Sequence, residues 1–192
     1  MKIACVGEGD TEYFCIPKIV GRLGHVVVSN ANIGGCCQDW DQTFSAQILP
    51  YVRTAALKRP DKILIIVDRE RRPECCPSLV QRAITIVTNG LLQVNLATPF
   101  SIVVSDKKFE SIVMADYELV DRLPILERAV SPDFGESLDG KNPKPIVDRA
   151  LKPGMSYHKV RHGGALASRM RLDDEIVLRR SRSLRKLVHE LS

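Results

Sequence analysis

The run "KILIIVDRE" at residues 62–70 predicts a short strand that is apolar on both faces and ends in acids. Central strands of parallel sheets are covered on both faces and show this near-continuous apolar pattern. A second strand of the same kind opens "KIACVGEGDTEYF" at residues 2–14, and it also runs into carboxylates and glycines. The two runs predict buried strands of one sheet whose ends carry acidic side chains.

Strand and helix patterns alternate along the first two thirds of the chain. Further strands are predicted in "HVVVSNANI" (25–33) and "PFSIVVSD" (99–106). Helices with an apolar face are predicted between and after the strands, over residues 11–23, 41–55, 77–91 and 109–123, with Asp41 as the expected cap of the second. Alternation of this kind predicts an α/β fold with a central, mostly parallel sheet flanked by helices in three layers.

The C-terminal part has a different texture. A loop rich in Pro, Gly and Asp begins near residue 132, and residues 165–191 have a helical pattern with Asp173 as its expected cap. We therefore predict an α/β core over residues 1–131 and a basic extension over residues 132–192. The extension is expected to pack on the core, so that the chain forms one domain overall.

Composition limits the class of protein. The chain has 192 residues, of which 44% are hydrophobic and 27% charged, as expected for a globular domain. Its apolar runs are strand-sized and shorter than the ~20 residues that a membrane helix needs. No signal-peptide pattern opens the chain, so a cytoplasmic location is expected, with six cysteines as free thiols.

Charge is unevenly distributed along the chain. Residues 1–140 carry 15 basic and 18 acidic side chains, whereas residues 141–192 carry 13 basic and 5 acidic ones. A basic segment attracts polyanions through their phosphates, independently of sequence. Nucleic acid is thus one expected partner of the extension, and a solvated helix rich in arginine is the alternative.

The acidic strand ends are the candidate site. Ligands of an open parallel sheet bind at the carboxyl ends of its strands. Glu8, Asp10 and Glu12 follow the first strand, and Asp68 and Glu70 follow the third. Crowded carboxylates repel unless a cation lies between them, and oxygen ligands suit Mg²⁺ or Mn²⁺. For Asp10 and Glu12 the preferred interpretation is instead a helix start, where acids complement the dipole.

The glycines between these acids suit a sharp turn that approaches a ligand closely. "GEGDTE" at residues 7–12 is not a Walker loop, because no Gly-Lys-Ser/Thr follows, and it lacks the third glycine of the dinucleotide fingerprint. Acids in the loop favour a bridging metal over direct cradling of a phosphate. A nucleotide-binding protein of flavodoxin-like layout remains a weaker alternative.

An early strand followed by Glu-Gly, and a third strand followed by Asp-x-Asp/Glu, resemble the Toprim domain of topoisomerases, primases and OLD-type nucleases. "EGDTE", "VDRE", "KKFESIVMAD" and "SYHKVRHGGALASRM" more narrowly resemble short prokaryotic Toprim-like proteins, over nearly the whole chain. The resemblance implies Mg²⁺ ligands at Glu8, Asp68 and Glu70. It also implies a defence or DNA-processing system with a partner ATPase. Glu70 departs from the usual second aspartate, which puts catalytic competence in question.

Two later motifs add candidates. In "KKFESIVMAD", Glu110 follows the fourth strand and could complete a metal site, and Asp116 could face the same way. The alternative for Glu110 is a helix-start acid that pairs with a neighbouring lysine. In "SYHKVRHGG", Lys159 and Arg161 are expected to contact phosphate, with Lys159 also assigned to catalysis. The equal alternative for this motif is a surface loop that makes salt bridges. Tyr157, which belongs to the Tyr-x-Lys element of the resemblance, is favoured over the neighbouring histidines.

The remaining candidate residues lie in patterns that are only weakly specific for a function. Arg179, Arg180 and Arg182 lie in "RRSRSLRK" and are candidate nucleic-acid contacts. The vicinal cysteine pairs at 36–37 and 75–76 lack the spacing of a zinc ribbon. Cys5 and Cys15 are expected in the core, and Trp40 as a packing anchor.

The sequence as a whole predicts a Toprim-like, Mg²⁺- or Mn²⁺-dependent nuclease or phosphodiesterase. Glu8, Asp68 and Glu70 would hold the metal, and Glu8 could instead act as the general base. The alternative is a catalytically inactive Toprim-like subunit that binds an ATPase or nucleic acid.

Overall fold

The protein, described by a computed structural model over residues 1–36 and 39–192, has an α/β fold built on a four-stranded, all-parallel sheet. The strands are β1 (Lys2–Gly7), β2 (Val26–Asn32), β3 (Lys62–Asp68) and β4 (Phe100–Ser105), in the order β2-β1-β3-β4. Helices cover both faces of the sheet, so the predicted three-layer fold class is confirmed.

The two strands with acidic ends are neighbours at the centre of the sheet. β1 and β3 pair in parallel, with Val6 opposite Ile65 and Gly7 opposite Ile66. The carboxyl ends of parallel strands lie at one edge of a sheet. The predicted adjacency of these strands is therefore confirmed, and their acids meet at that edge.

Helices take up most of the rest of the chain. The first is α1 (Asp10–Arg22). α2 (Trp40–Gln42) continues through a π-helical stretch, Thr43–Ile48, into α3 (Leu49–Ala56), and α4 is Cys76–Leu92. The later helices are mostly short: α5 (Glu110–Val113), α6 (Tyr117–Asp121), α7 (Ser131–Phe134), α8 (Lys144–Asp148), α9 (Lys159–Ala167), α10 (Glu175–Arg179) and α11 (Arg182–Glu190).

The core has two halves, one on each face of the sheet, because successive strand residues point to opposite faces. Ala4, Ile63 and Ile65 point to one face and pack with residues of α2, α3, α4 and the π-helical stretch. Ile3 and Leu64 point to the other face, where α1 and the helices after β4 pack. Residues of the C-terminal extension are part of this second half and share it with β1 and α1.

The predicted helix over residues 109–123 is wrong at its centre. The chain forms two short helices, α5 and α6, with residues 114–116 between them. Asp116 is 0% exposed and binds Arg171 through the backbone N–H, Nε and Nη2 of the arginine. The carboxylate is thereby fixed by a partner 55 residues away, which local helical periodicity does not reveal.

Two predicted caps are also corrected. Asp174, rather than Asp173, caps α10 by accepting the backbone N–H of Ile176 at 2.8 Å. Asp39, rather than Asp41, caps α2, with its Oδ1 2.6 Å from the backbone nitrogen of Gln42. Neighbouring aspartates compete for a cap, and the extended backbone of the residue before the helix decides between them.

The predictions for isolated apolar side chains hold. Cys5 and Cys15 are fully buried, and Trp40 is buried with its Nε1 donating to the carbonyl of Leu79 at 2.9 Å. Cys75 is the exposed residue before α4 and Cys76 is half-buried, while Cys37 of the other vicinal pair lies outside the described residues. Within residues 1–36 and 39–192, the helices are too short or too polar to span a membrane.

Candidate metal centre at the carboxyl edge of the sheet

Four nearly buried carboxylates meet where the central strands end. Glu8 is 8% exposed, Glu12 4%, Asp68 5% and Glu110 2%. Glu8 follows β1, Glu12 lies in the first turn of α1, Asp68 ends β3 and Glu110 begins α5. Acidic residues are almost never buried without a partner. Their gathering from three separate segments, the β1–α1 turn, the end of β3 and the start of α5, therefore marks this edge as the candidate site.

Gly7 lets α1 begin directly against β1. A Cβ atom at Gly7 would lie 2.7 Å from the Cβ of Glu12, closer than side chains tolerate. The backbone at Gly9 is extended, and α1 starts at the next residue. The glycines of the loop therefore serve a close approach that turns the Glu12 side chain inward.

A hydrogen bond joins the ends of the two central strands. The backbone N–H of Asp68 donates to Glu8 Oε2 at 2.8 Å. Asp68 Oδ2 lies 3.6 Å from Lys108 Nζ, whereas the buried Oδ1 has no hydrogen-bond partner within the described residues. An unpaired buried carboxylate oxygen is costly, so this atom is the one best placed to accept a cation.

Two lysines lie between the acids. Lys108 Nζ is 2.6 Å from Glu70 Oε1 and thus bridges Glu70 and Asp68, while Lys159 Nζ is 2.8 Å from Glu110 Oε1. The loops after β3 and β4 are joined by a hydrogen bond from the Glu70 N–H to the Lys107 carbonyl at 3.1 Å. Glu70 (φ 54°) and Lys107 (φ 90°) both adopt left-handed backbone conformations, which non-glycine residues rarely do.

The carboxylates differ in acidity according to their surroundings. Burial, followed by the charges of Glu8 and Glu110, raises the pKa of Glu12 to about 7. Burial and the neighbouring Glu12 and Glu8 also raise the pKa of Asp68 well above its usual range. By contrast, the hydrogen bond from Lys108 lowers the pKa of Glu70. Glu12 and Asp68 therefore keep their protons to a higher pH than solvated carboxyl groups do, because burial and their acidic neighbours disfavour further negative charge.

The donor set suits a hard divalent cation. The four nearly buried carboxylates supply only oxygen ligands, and Asp68 Oδ1 has an unused lone pair. As the described side chains stand, no three of His, Cys, Asp or Glu form a group that could hold an ion. Lys108 and Lys159 provide the positive charge among these acids. Entry of a cation would require rotation of the carboxylates away from the lysines.

The structure separates the candidate acids. It brings Glu8, Asp68 and Glu110 together and adds Glu12, which sequence reasoning treated as a helix-start residue. Glu70 lies at the rim, with a side chain 43% exposed. Asp116 does not join them, because Arg171 Nη2 holds it at 2.6 Å elsewhere in the fold.

The motif around residue 157 flanks the acids on one side. Lys159 begins α9 and reaches Glu110, and Arg161 is exposed on the same helix. Tyr157 is buried, and its hydroxyl has no hydrogen-bond partner in the described part of the chain. Burial and the Glu110 carboxylate raise the pKa of this phenol. Lys159 is therefore the residue of the motif with a direct link to the acidic centre.

The three C-terminal arginines take part in ion pairs within the fold. Arg179 pairs with Glu175 at 3.0 Å and Arg182 with Asp139 at 2.8 Å. Arg180 pairs with Glu118 at 3.3 Å and stacks on the Tyr117 ring, with 4.0 Å between guanidinium carbon and ring centroid. Their positive charges are thus largely matched by acids of the same chain.

A basic groove opens beside the acidic centre, and we call it the rim groove. It has a volume of about 890 Å³ and is lined by Cys36, Glu70, Arg71, Arg72, Pro73, Lys107, Lys108 and Asn142. Sequence reasoning missed its cations. The available signal was their position, because "RERR" (69–72) and "KK" (107–108) directly follow the acidic ends of β3 and β4.

Comparisons with known proteins identify no relative of this chain: no protein-family model, no curated protein and no solved structure matches it. The resemblance to Toprim-like proteins therefore stays a prediction that depends on the motifs and their order.

Proposed function

We propose that the chain is a Toprim-like, Mg²⁺- or Mn²⁺-dependent nuclease or phosphodiesterase. One observation carries the proposal: four nearly buried carboxylates from three segments of the chain meet at the carboxyl edge of the two central strands. Open parallel sheets bind their ligands at this edge. The ion pairs with Lys108 and Lys159 leave part of the centre unexplained, because Asp68 Oδ1 is buried without a partner among the described residues.

Each residue has a role in this proposal. Glu8 and Asp68 would hold the cation, with Glu110 and Glu12 beside them and Glu70 as a ligand at the rim. When bound, such a cation neutralises charge on a phosphoryl group and lowers the pKa of a water molecule. Lys159 has a half-exposed side chain that can turn from Glu110 towards a substrate phosphate. Lys108 can exchange Asp68 for a phosphate in the same way.

The biological setting is part of the proposal and depends on the motif resemblance. It places the protein in a prokaryotic defence or DNA-processing system together with a partner ATPase. In such a system the purified chain alone can be silent, if the partner ATPase licenses the reaction. Assays of activity should therefore include a candidate ATPase as well as the purified chain.

A second candidate function is a catalytically inactive subunit that binds an ATPase or nucleic acid. The observation in its favour is that Lys108 and Lys159 already pair with Asp68 and Glu110 without a metal. Glu70 in place of the usual aspartate points the same way. In this alternative the lysines are permanent counter-ions and the centre is a structural feature.

Metal binding separates the two functions. A cation that binds only the folded state raises the melting temperature in proportion to the logarithm of its concentration. We expect Mn²⁺ to stabilise the parent and not the Asp68→Asn variant, measured by thermal unfolding over a Mn²⁺ titration. Asp173→Asn, at an exposed position, is the control and should respond like the parent. A parent that shows no metal-dependent shift would favour the inactive subunit.

A further inference from the structure

The cations of the rim groove are arranged differently from those of the C-terminal helices. Four basic side chains line the groove against a single acidic one, Glu70. Arg71 and Lys107 are exposed, and neither has an ion-pair partner within the described residues. Arg180, Arg182 and Arg179, by contrast, are matched by Glu118, Asp139 and Glu175. Positive charge without an ion-pair partner therefore lies directly beside the acidic centre, at Arg71 and Lys107.

The groove is also held in shape by the backbone. Glu70 and Lys107 adopt left-handed conformations, and a hydrogen bond from Glu70 to Lys107 joins their two loops. Arg72 Nη1 donates to the carbonyl of Asp68 at 3.2 Å, and its guanidinium stacks over Trp40 at 5.0 Å. Strained backbone that the surroundings fix in place is typical of binding sites. The loops thus present their cations in a defined arrangement.

The shape and lining of the groove indicate the chemistry of its ligand. Its volume is within the range of ligand sites, about 300–1,000 Å³. Its described lining contains no aromatic side chain on which a base could stack, so recognition would involve phosphate and sugar. A concave basic groove suits the backbone of one strand better than the wide surface of a duplex.

We propose that the rim groove binds the phosphate backbone of a single nucleic-acid strand and leads it across the acidic centre. Arg71 and Lys107 supply the principal phosphate contacts, and Lys108 links the groove to Asp68. This inference rests on the proposed function in one respect, the path of the strand beyond the groove. The proposed nuclease needs a phosphodiester beside Glu8 and Asp68, so the strand is led towards them. The proposal assigns strand binding to the loops after β3 and β4, in place of the C-terminal arginines.

The test compares two variants that lose the same charge. Arg71→Gln/Lys107→Gln removes both groove cations. Lys58→Gln/Arg185→Gln removes one cation from the opposite end of the sheet and one from the exposed side of α11. Binding of a labelled single strand is measured in EDTA over a series of salt concentrations. For single strands the slope of log K against log salt is about −0.7 per phosphate neutralised.

We expect the groove variant to lose roughly 1.4 of this slope, two phosphates at about 0.7 each, while the control variant keeps the parent's slope. If both variants lost the same amount of slope, the change in net charge would explain the effect, and the assignment would be overturned. A parent that fails to bind a strand at low salt would also overturn it. A duplex or a nucleoside triphosphate that binds as tightly as the strand would contradict a single-strand groove.

Failure here is distinguishable from failure of the proposed function. Strand binding is measured without metal, whereas the metal centre is tested by the Mn²⁺-dependent melting temperature of the chain alone. Retained metal stabilisation with no groove effect would reject only the groove. Loss of metal stabilisation with a clear groove effect would leave a strand-binding protein without a metal centre.

Discussion

The pKa of Glu12 reflects the electrostatic surroundings in the acidic centre. The side chain is buried beside Glu8 and Glu110, and burial with their charges raises its pKa from 4.5 to about 7. The folded protein therefore binds more protons than the unfolded chain between these two pH values. Stability then decreases with rising pH in this window and is recovered as the pH falls.

The Glu12→Gln variant tests this charge. Each unit of pKa shift corresponds to about 1.4 kcal/mol, so the parent should lose on the order of 3 kcal/mol of unfolding free energy between about pH 4.5 and pH 7 relative to the variant. Urea unfolding at several pH values measures the difference. Glu136→Gln, at an exposed position, is the control and should follow the parent. Parallel pH profiles for the parent and Glu12→Gln would show that Glu12 ionises freely.

The sequence predicts the residues of the centre unequally. Glu8 and Asp68 were predictable, because apolar runs end directly before them and parallel strands end at one edge. Glu12 was not, because helix starts commonly carry acids that point to solvent. Its burial depends on the distance between α1 and β1 at Gly7, which is a tertiary property.

At the scale of elements, the contact between α1 and β1 sets the geometry of the centre. A methyl group at Gly7 would meet the Cβ of Glu12 at 2.7 Å, and that atom sits on the helix backbone and cannot rotate away. The first turn of α1 would have to move off the strand. Such a shift would displace Glu12 and separate Glu8 from Asp68.

Paired glycine variants in and before the same helix test the contact. Gly7→Ala should lower the free energy of unfolding by about 1–3 kcal/mol, as overpacking does, and weaken the Mn²⁺ response. Gly21→Ala lies inside α1, where a Cβ meets no atom within 4 Å, and should stabilise by roughly 0.5–1 kcal/mol. Chemical denaturation measures both. Equal effects of the two variants would mean that helix propensity, and not the close approach, explains Gly7.

The elements themselves were predicted with uneven success. β1, β3 and β4 were recognisable from apolar runs, because the sheet is covered on both faces there. β2 was recognisable only from three successive valines, since none of its residues is buried at the edge of the sheet. The helices after β4 were not, since α5 and α6 are too short to show a period. Asp116 lies in the break between them, where it binds Arg171, a residue 55 positions away in the chain.

For the whole molecule, the number of basic residues in a segment of the chain does not show which of their charges are paired in the fold. The excess of basic residues in 141–192 predicted a polyanion-binding extension. In the fold, Arg180 and Arg182 pair with acids of residues 1–140, as at Glu118 and Asp106. These two candidate arginines are therefore neutralised where the extension packs on the body, whereas Arg71 and Lys107 of the rim groove have no ion-pair partner among the described residues.

The last prediction separates strand binding from turnover in the complete molecule. Glu8→Gln removes one carboxylate of the centre with little change in shape. The amide oxygen of glutamine can still accept the Asp68 N–H that Glu8 Oε2 accepts at 2.8 Å, so the junction of β1 and β3 is kept. We expect metal-dependent cleavage of nucleic acid to be lost with the metal response, while strand binding in the rim groove is retained. Cleavage in Mg²⁺ or Mn²⁺ and binding in EDTA are measured on the chain with its candidate ATPase.

Arg71→Gln/Lys107→Gln is the converse variant and should keep the Mn²⁺-dependent stabilisation while strand binding weakens. If Glu8→Gln weakened strand binding as strongly as the groove variant does, the centre and the groove would form one binding surface. A complete complex that shows no metal-dependent cleavage would identify the inactive, strand-binding subunit.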